Sequence, residues 1–169
     1  MKKIIAFSGT HGTGKTTSAE EYKKKYKMNY PKISAKVMAD LENECPFDKN
    51  QAGTRETQAW IFANQILEEL KYINIFDLVV CDRTIIDVVG YTQALGFDAL
   101  AAAQFDWARY HIQAYSEIYF RKIANNPFHY DDGIRDMDPD FRQKVEDNIL
   151  TCYDSIIASG SFPGKIYFN

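Results

Sequence analysis

Nine residues near the amino terminus, Gly9-Thr10-His11-Gly12-Thr13-Gly14-Lys15-Thr16-Thr17, combine three glycines with a lysine and a pair of hydroxyls. An ordinary turn needs one unusual backbone angle, whereas this many glycines free several peptide units to bring their N–H groups onto an anion. The spacing G-x-x-x-x-G-K-T is that of a phosphate-binding loop. In such a loop backbone N–H groups wrap a β-phosphate, the lysine ammonium reaches the β- and γ-oxygens, and the hydroxyl ligates Mg²⁺. On this reading the stretch from Gly9 to Thr17 surrounds ATP, Lys15 stabilises the transferred phosphoryl group, and Thr16 helps to hold the metal. His11 reads as a surface side chain over the phosphates, with no catalytic part.

A second set of chemically capable residues follows the run Phe76-Asp77-Leu78-Val79-Val80-Cys81-Asp82. In parallel sheets ligands collect at the carboxyl ends of strands, so Asp82 is expected to face the same crevice as the glycine-rich loop. It is the candidate metal-binding and catalytic carboxylate, with a cap for the helix that starts near Ile85 as the competing role. Asp40 closes a similar run, Val37-Met38-Ala39, and is a candidate acceptor contact. No N-K-x-D element for guanine is present, and Arg83 follows Asp82 where an ATPase motor usually carries a second carboxylate. The first feature weakens a GTPase reading, and the second favours transfer to a bound acceptor. Arginine suits phosphate because its planar fork donates two parallel hydrogen bonds. Of six arginines against fourteen lysines, Arg83 follows Asp82 directly and Arg55 begins the helix after the second strand, another place from which an acceptor could be reached, although an exposed salt bridge is the alternative for each. A phosphate oxygen attacks without a base, whereas a sugar hydroxyl needs a carboxylate to take its proton. The arginines suit the first kind of acceptor and Asp82 the second, so both stay open.

These residues require a frame of short apolar runs alternating with segments of helical period, the signature of a parallel sheet covered by helices. Strands are expected at 3 to 8, 33 to 39, 76 to 82, 115 to 121 and 164 to 168. The glycine-rich loop must open a helix, whose N-terminus adds unpaired donors and a positive dipole end. Thr16 to Tyr26 provides it, with Ala19, Tyr22 and Tyr26 on one stripe. From Thr54 to Ile73, Ala59, Phe62, Ile66, Leu70 and Ile73 recur at steps of three and four and predict a face packed on the sheet. Asp138-Pro139 reads as an N-cap and first helical residue. Phe141, Val145, Ile149, Cys152 and Ile156 then carry the period to Ser159-Gly160. Among the middle aromatics, Trp60, Phe62, Tyr91, Phe105, Trp107 and Tyr110 sit on helical stripes and are expected mostly in the core.

A chain of 169 residues that is 46% hydrophobic fits one domain, 1 to 169. A net charge of −3 argues against sequence-independent binding of duplex nucleic acid, which depends on a dense basic surface. The one basic run, Lys23-Lys24-Lys25 with Lys27, suits the end of the first helix. Cys45, Cys81 and Cys152 are odd in number and form no C-x-x-C pair, which reads as reduced thiols in a cytoplasmic protein. The opening MKKIIAF is too short for a signal peptide, and no apolar stretch is long enough to span a membrane.

Asp82-Arg83-Thr84 with Asp87 and Tyr91 resembles the D-R-x motif of thymidylate kinases and deoxynucleoside kinases. CPFDKN, TRETQAWIFANQI, VVCDRTIID and DDGIRDMDPDFR together resemble small AAA-type P-loop proteins regarded as nucleotide kinases. The similarity runs over nearly the whole chain. It implies a three-layer P-loop fold, a five-stranded parallel sheet flanked by helices, with a short lid at about 123 to 142. It also implies Lys15 as the phosphate lysine, Thr16 as the metal hydroxyl, Asp82 as the strand-end carboxylate, Arg83 beside it, and Arg135 and Arg142 as lid arginines. The expected activity is ATP- and Mg²⁺-dependent transfer of the γ-phosphate to a small nucleotide, a deoxynucleoside monophosphate first. A nucleoside, riboside or polynucleotide 5′-end is the alternative acceptor, and a non-catalytic ATP-binding regulator is the alternative class. Assembly as a homodimer is left open.

Overall fold

In the computed structural model, which describes residues 2–39, 41–48, 53–125 and 138–169, strand β1 (Lys3–Ser8) lies at the centre of the sheet. Its residues alternate between two buried faces, and for that reason the run from Ile4 to Phe7 is apolar. Helix α1 (Lys15–Asn29) follows, then β2 (Ala35–Met38), α2 (Arg55–Ile75) and β3 (Leu78–Cys81). Helices α3 (Ile85–Ala94) and α4 (Asp98–His111) precede β4 (Tyr115–Phe120), and α5 (Pro139–Ser159) leads to β5 (Lys165–Phe168). All five expected strands form, and all pair in parallel in the order β2-β3-β1-β4-β5.

Register follows from burial. Ile5 stands opposite Val80 of β3, and with Phe7 and Leu78 it packs beneath Ala19, Tyr22 and Tyr26 of α1. Ile4, Ala6, Val79 and Cys81 point the other way, into the larger core beneath α2, α3, α4 and α5. The tightest helix contact is α3 on α5. A side-chain carbon on Gly90 would collide with Ile149, so glycine lets the two backbones approach there.

Local signals set the helix ends. Thr54 caps α2 in a reciprocal capping box with Thr57, and Thr84 caps α3 in the same way with Asp87. Asp138 and Pro139 begin α5 as the sequence predicts, and Gly160 ends it at φ 63°. The face of α2 differs from expectation. Phe62 and Ile66 are buried, yet Ala59 and Leu70 are exposed, and Thr57, Gln58, Gln65 and Glu69 lie inside. Reading only apolar positions rotates the stripe, because these polar side chains are buried with hydrogen-bond partners. Among the aromatics, Phe62 and Tyr91 are buried and Trp60 and Phe105 are half-buried, whereas Trp107 and Tyr110 lie exposed on α4. The three cysteines are buried free thiols, and among the described residues no helix is long and apolar enough to cross a membrane.

Candidate active site

The glycine-rich loop leaves the carboxyl end of β1 with Gly9, Gly12 and Gly14 at φ 130°, 71° and 76°. These angles disfavour any residue with a side chain. At Gly9 space is limiting as well, because an added side-chain carbon would sit 2.6 Å from the Arg121 carbonyl oxygen. The loop is braced from within. The Thr13 hydroxyl donates to the Thr10 carbonyl at 2.9 Å, and the buried Lys15 ammonium donates to the same oxygen at 2.7 Å. Lys15 opens α1 directly after the left-handed Gly14, so Thr16 and Thr17 stand exposed on the first turn.

Thr16 is where the loop meets β3. Its hydroxyl donates to Oδ2 of Asp82, which is buried one residue beyond the strand. Asp82 does not cap α3, since Thr84 performs that role. The backbone turns sharply after it. Arg83 adopts φ 148°, a conformation costing a non-glycine residue about 1–3 kcal/mol. Its buried guanidinium lies over the Tyr91 ring, 4.8 Å from the centroid, with Nη2 3.7 Å from the Glu42 carboxylate. Glu42, Thr57, Gln58, Ile61, Arg83 and Tyr91 line a small pocket beside this turn.

Tyr91 ties the pocket to the loop. Its hydroxyl accepts the His11 backbone N–H at 3.0 Å and lies 2.7 Å from His11 Nδ1. The His11 ring is therefore a buried structural element instead of a surface side chain, because the phenol and the loop enclose it. Burial pushes the Tyr91 hydroxyl above its ordinary pKa, so it stays protonated. From the far side, Arg142 donates Nε–H to the His11 carbonyl at 3.0 Å, and its buried Nη2 has no hydrogen-bond partner among the described residues. Desolvation lowers the pKa of that guanidinium while Tyr91 and Glu146 raise it, and the group remains charged. Beneath the loop the buried Asp87 carboxylate accepts the Ser8 hydroxyl, Gly9 N–H at 3.3 Å, and Thr84 N–H at 3.1 Å.

The structure thus brings together Lys15, Thr16, His11, Asp82, Arg83 and Arg142 from three parts of the chain. Arg55 is placed elsewhere: it is exposed at the start of α2 and stacks 5.7 Å from the Phe97 ring. Asp40 and Arg135 lie outside the described residues, as does 126–137 of the expected lid. Four contributors were given no role at the site by the sequence reading. Asp87 and Tyr91, which entered the sequence reading only through the resemblance of the D-R segment, recur on one face of α3 and brace the loop. Arg121 stands at the carboxyl exit of β4, where strand-end reasoning applies, and donates Nε–H to the Thr13 carbonyl at 2.8 Å. Glu42 lies in the short turn Leu41–Glu44, and nothing in its surrounding sequence marks it.

As a cation site, the meeting of the Thr16 hydroxyl and Asp82 carboxylate supplies hard oxygen donors, which fit Mg²⁺. With the lysine and the loop's N–H groups, the arrangement can hold and neutralise a polyphosphate. Comparison with solved structures finds the same fold in nucleotide and nucleoside kinases. Thymidylate kinase from Candida albicans is 16% identical with a TM-score of 0.68, over 99% of this chain and 83% of that one. Thymidylate kinase from Ehrlichia chaffeensis is 19% identical at 0.66, covering 99% and 86%. Deoxyadenosine kinase from M. mycoides, with dATP bound, is 15% identical at 0.64, covering 99% and 90%. No curated protein matches the chain by sequence. The family model for the AAA domain matches residues 4–158, and the chain, a five-stranded parallel P-loop fold of the kinase type, belongs to that family.

Proposed function

We propose that the protein is an ATP- and Mg²⁺-dependent phosphotransferase that moves the γ-phosphate to a small nucleotide, a deoxynucleoside monophosphate being the first candidate. The observation that carries this reading is the convergence of Lys15, Thr16 and Asp82 at the loop, directly beside the walled pocket that holds Arg83 and Glu42. The loop's N–H groups and Lys15 bind and orient the triphosphate. Thr16 and Asp82 would hold Mg²⁺, which when bound supplies charge neutralisation across the phosphates. Arg83, braced on Tyr91, orients the acceptor, while Arg142 fixes the loop through His11. Phosphoryl transfer needs alignment and charge compensation more than covalent help, and these residues supply both. Arg135 is proposed as a further lid cation.

One observation favours a nucleoside acceptor as a second reading. Glu42 faces Arg83 in the acceptor pocket, so a carboxylate is at hand to take a hydroxyl proton and part of the arginine's charge is already balanced. Asp82, turned toward Thr16, then serves the metal instead of acting as base. A coupled assay over nucleosides and monophosphates separates the readings. Lys15→Ala and Asp82→Asn are each expected to lower turnover by at least ~100-fold, the scale of losing one electrostatic stabiliser in a preorganised site. ATP binding without transfer to any acceptor would point instead to a nucleotide-binding regulator. Full turnover in Asp82→Asn would remove that residue from the mechanism.

A further inference from the structure

Behind the Asp82-Arg83 turn lies a buried polar chain that the proposed reaction does not itself use. Gln65 of α2 directs its Nε2 to two acceptors, the Arg83 carbonyl at 2.9 Å and Glu69 Oε1 at 2.8 Å. Glu69, one helical turn further along, is fully buried. Its Oε1 also accepts the Tyr115 hydroxyl at 2.7 Å, and its Oε2 lies 2.7 Å from His111 Nε2 at the end of α4. The Tyr115 oxygen in turn accepts the Ile85 N–H at 3.2 Å. One carboxylate therefore grips the turn at two points: the carbonyl of Arg83 through Gln65, and the N–H of Ile85 through Tyr115.

Packing does not require this arrangement. Apolar side chains of similar volume would seat α2 on β3 at least as well as a buried carboxylate with its partners. What the network adds is directional, since it terminates on the backbone of the segment whose first residue has the strained φ of 148°. Such a conformation persists only where its surroundings over-determine it. We propose that Glu69 is a positioning residue. Through Gln65 and Tyr115 it holds the Asp82-Arg83 turn so that the carboxylate meets Thr16 and the guanidinium lies over Tyr91. The inference rests on the kinase reading only in taking those two side chains as parts of the reaction.

Gln65→Leu and Tyr115→Phe each remove one arm and preserve most of the shape, the second by deleting a single oxygen. Three measurements apply to each: kcat and KM for the acceptor, ATP·Mg²⁺ affinity by calorimetry, and amide hydrogen exchange. Gln65→Leu is expected to lower kcat by ~10- to 100-fold, as misplacement of catalytic groups by about an ångström does. ATP·Mg²⁺ affinity should fall by less than kcat does, since the loop and Lys15 are untouched and only the contact of Asp82 with Thr16 shifts. Exchange at Thr84 and Ile85 should quicken by about tenfold or more while the middle of α5 keeps its protection, the mark of local opening. Glu69→Gln keeps an oxygen for both arms and should retain most of the activity that Glu69→Leu loses. Wild-type kcat and unchanged exchange in both arm variants would overturn the proposal. So would protection lost evenly across α2 and α5, which marks a merely structural role. If the wild-type protein phosphorylates no acceptor, the kinase reading falls and the exchange pattern alone decides this one.

Discussion

Burial raises the pKa of the Asp87 carboxyl from its ordinary 3.8, because desolvation penalises the charged form and the nearby Lys15 and Arg83 offset only part of that. Between 3.8 and the raised value the native state holds a proton that the unfolded chain has released. The contribution of this group to stability therefore falls as pH rises through that window. Asp87→Asn is expected to remove this part of the pH slope. It also places an amide where Asp87 now accepts the Ser8 hydroxyl and the Gly9 and Thr84 N–H groups, which should cost about 1–3 kcal/mol of stability near neutrality. Urea unfolding from mildly acidic to neutral pH measures both effects. A variant as stable as the parent throughout would show that Asp87 does not brace the loop.

At the scale of elements, the α3–α5 contact depends on one missing side chain. Gly90→Ala would press a methyl into Ile149, and overpacking of this kind typically costs about 1–3 kcal/mol. The exposed-helix preference for alanine over glycine, about 1 kcal/mol, works in the opposite direction, so a stabilised variant would mean that Ile149 moves aside freely. Chemical denaturation reads the sign directly. The sequence showed α5 well, since its buried stripe is wholly apolar apart from Arg142 and Glu146 and its cap, Asp138-Pro139, is local. It showed the glycine-rich loop for the same reason: Gly9 to Thr17 is contiguous, and Gly9, Gly12 and Gly14 each answer a backbone requirement of their own. The inner face of α2 was hidden because Gln58, Gln65 and Glu69 are satisfied by partners distant in the chain, Thr92, Gln104, Arg83 and Tyr115. Arg121 and Glu42 were hidden likewise, as their roles arise only when β4 and β2 align beside β1 and β3.

Across the whole molecule, parallel pairing turns the carboxyl ends of β1, β3 and β4 to one edge, so the loop, Asp82 and Arg121 gather there. A ligand that spans this edge adds to the Thr16–Asp82 and Arg121–Thr13 bonds that already join these segments, and by linkage anything bound to the native state alone stabilises all of it. At a ligand concentration of about 100 times Kd the gain is about 2.7 kcal/mol. For a domain of this size about 2–4 °C of Tm accompanies each kcal/mol, so a rise of roughly 5–11 °C is expected with saturating ATP·Mg²⁺. Lys15→Ala should abolish most of that rise, measured against the variant's own ligand-free Tm, which separately reports the loss of the buried ammonium beside Thr10 O and Asp87. The two arms separate a binding defect from a folding defect. Equal melting with and without ATP·Mg²⁺ in the unaltered protein would mean that the edge does not hold the triphosphate, whatever the shape of the loop.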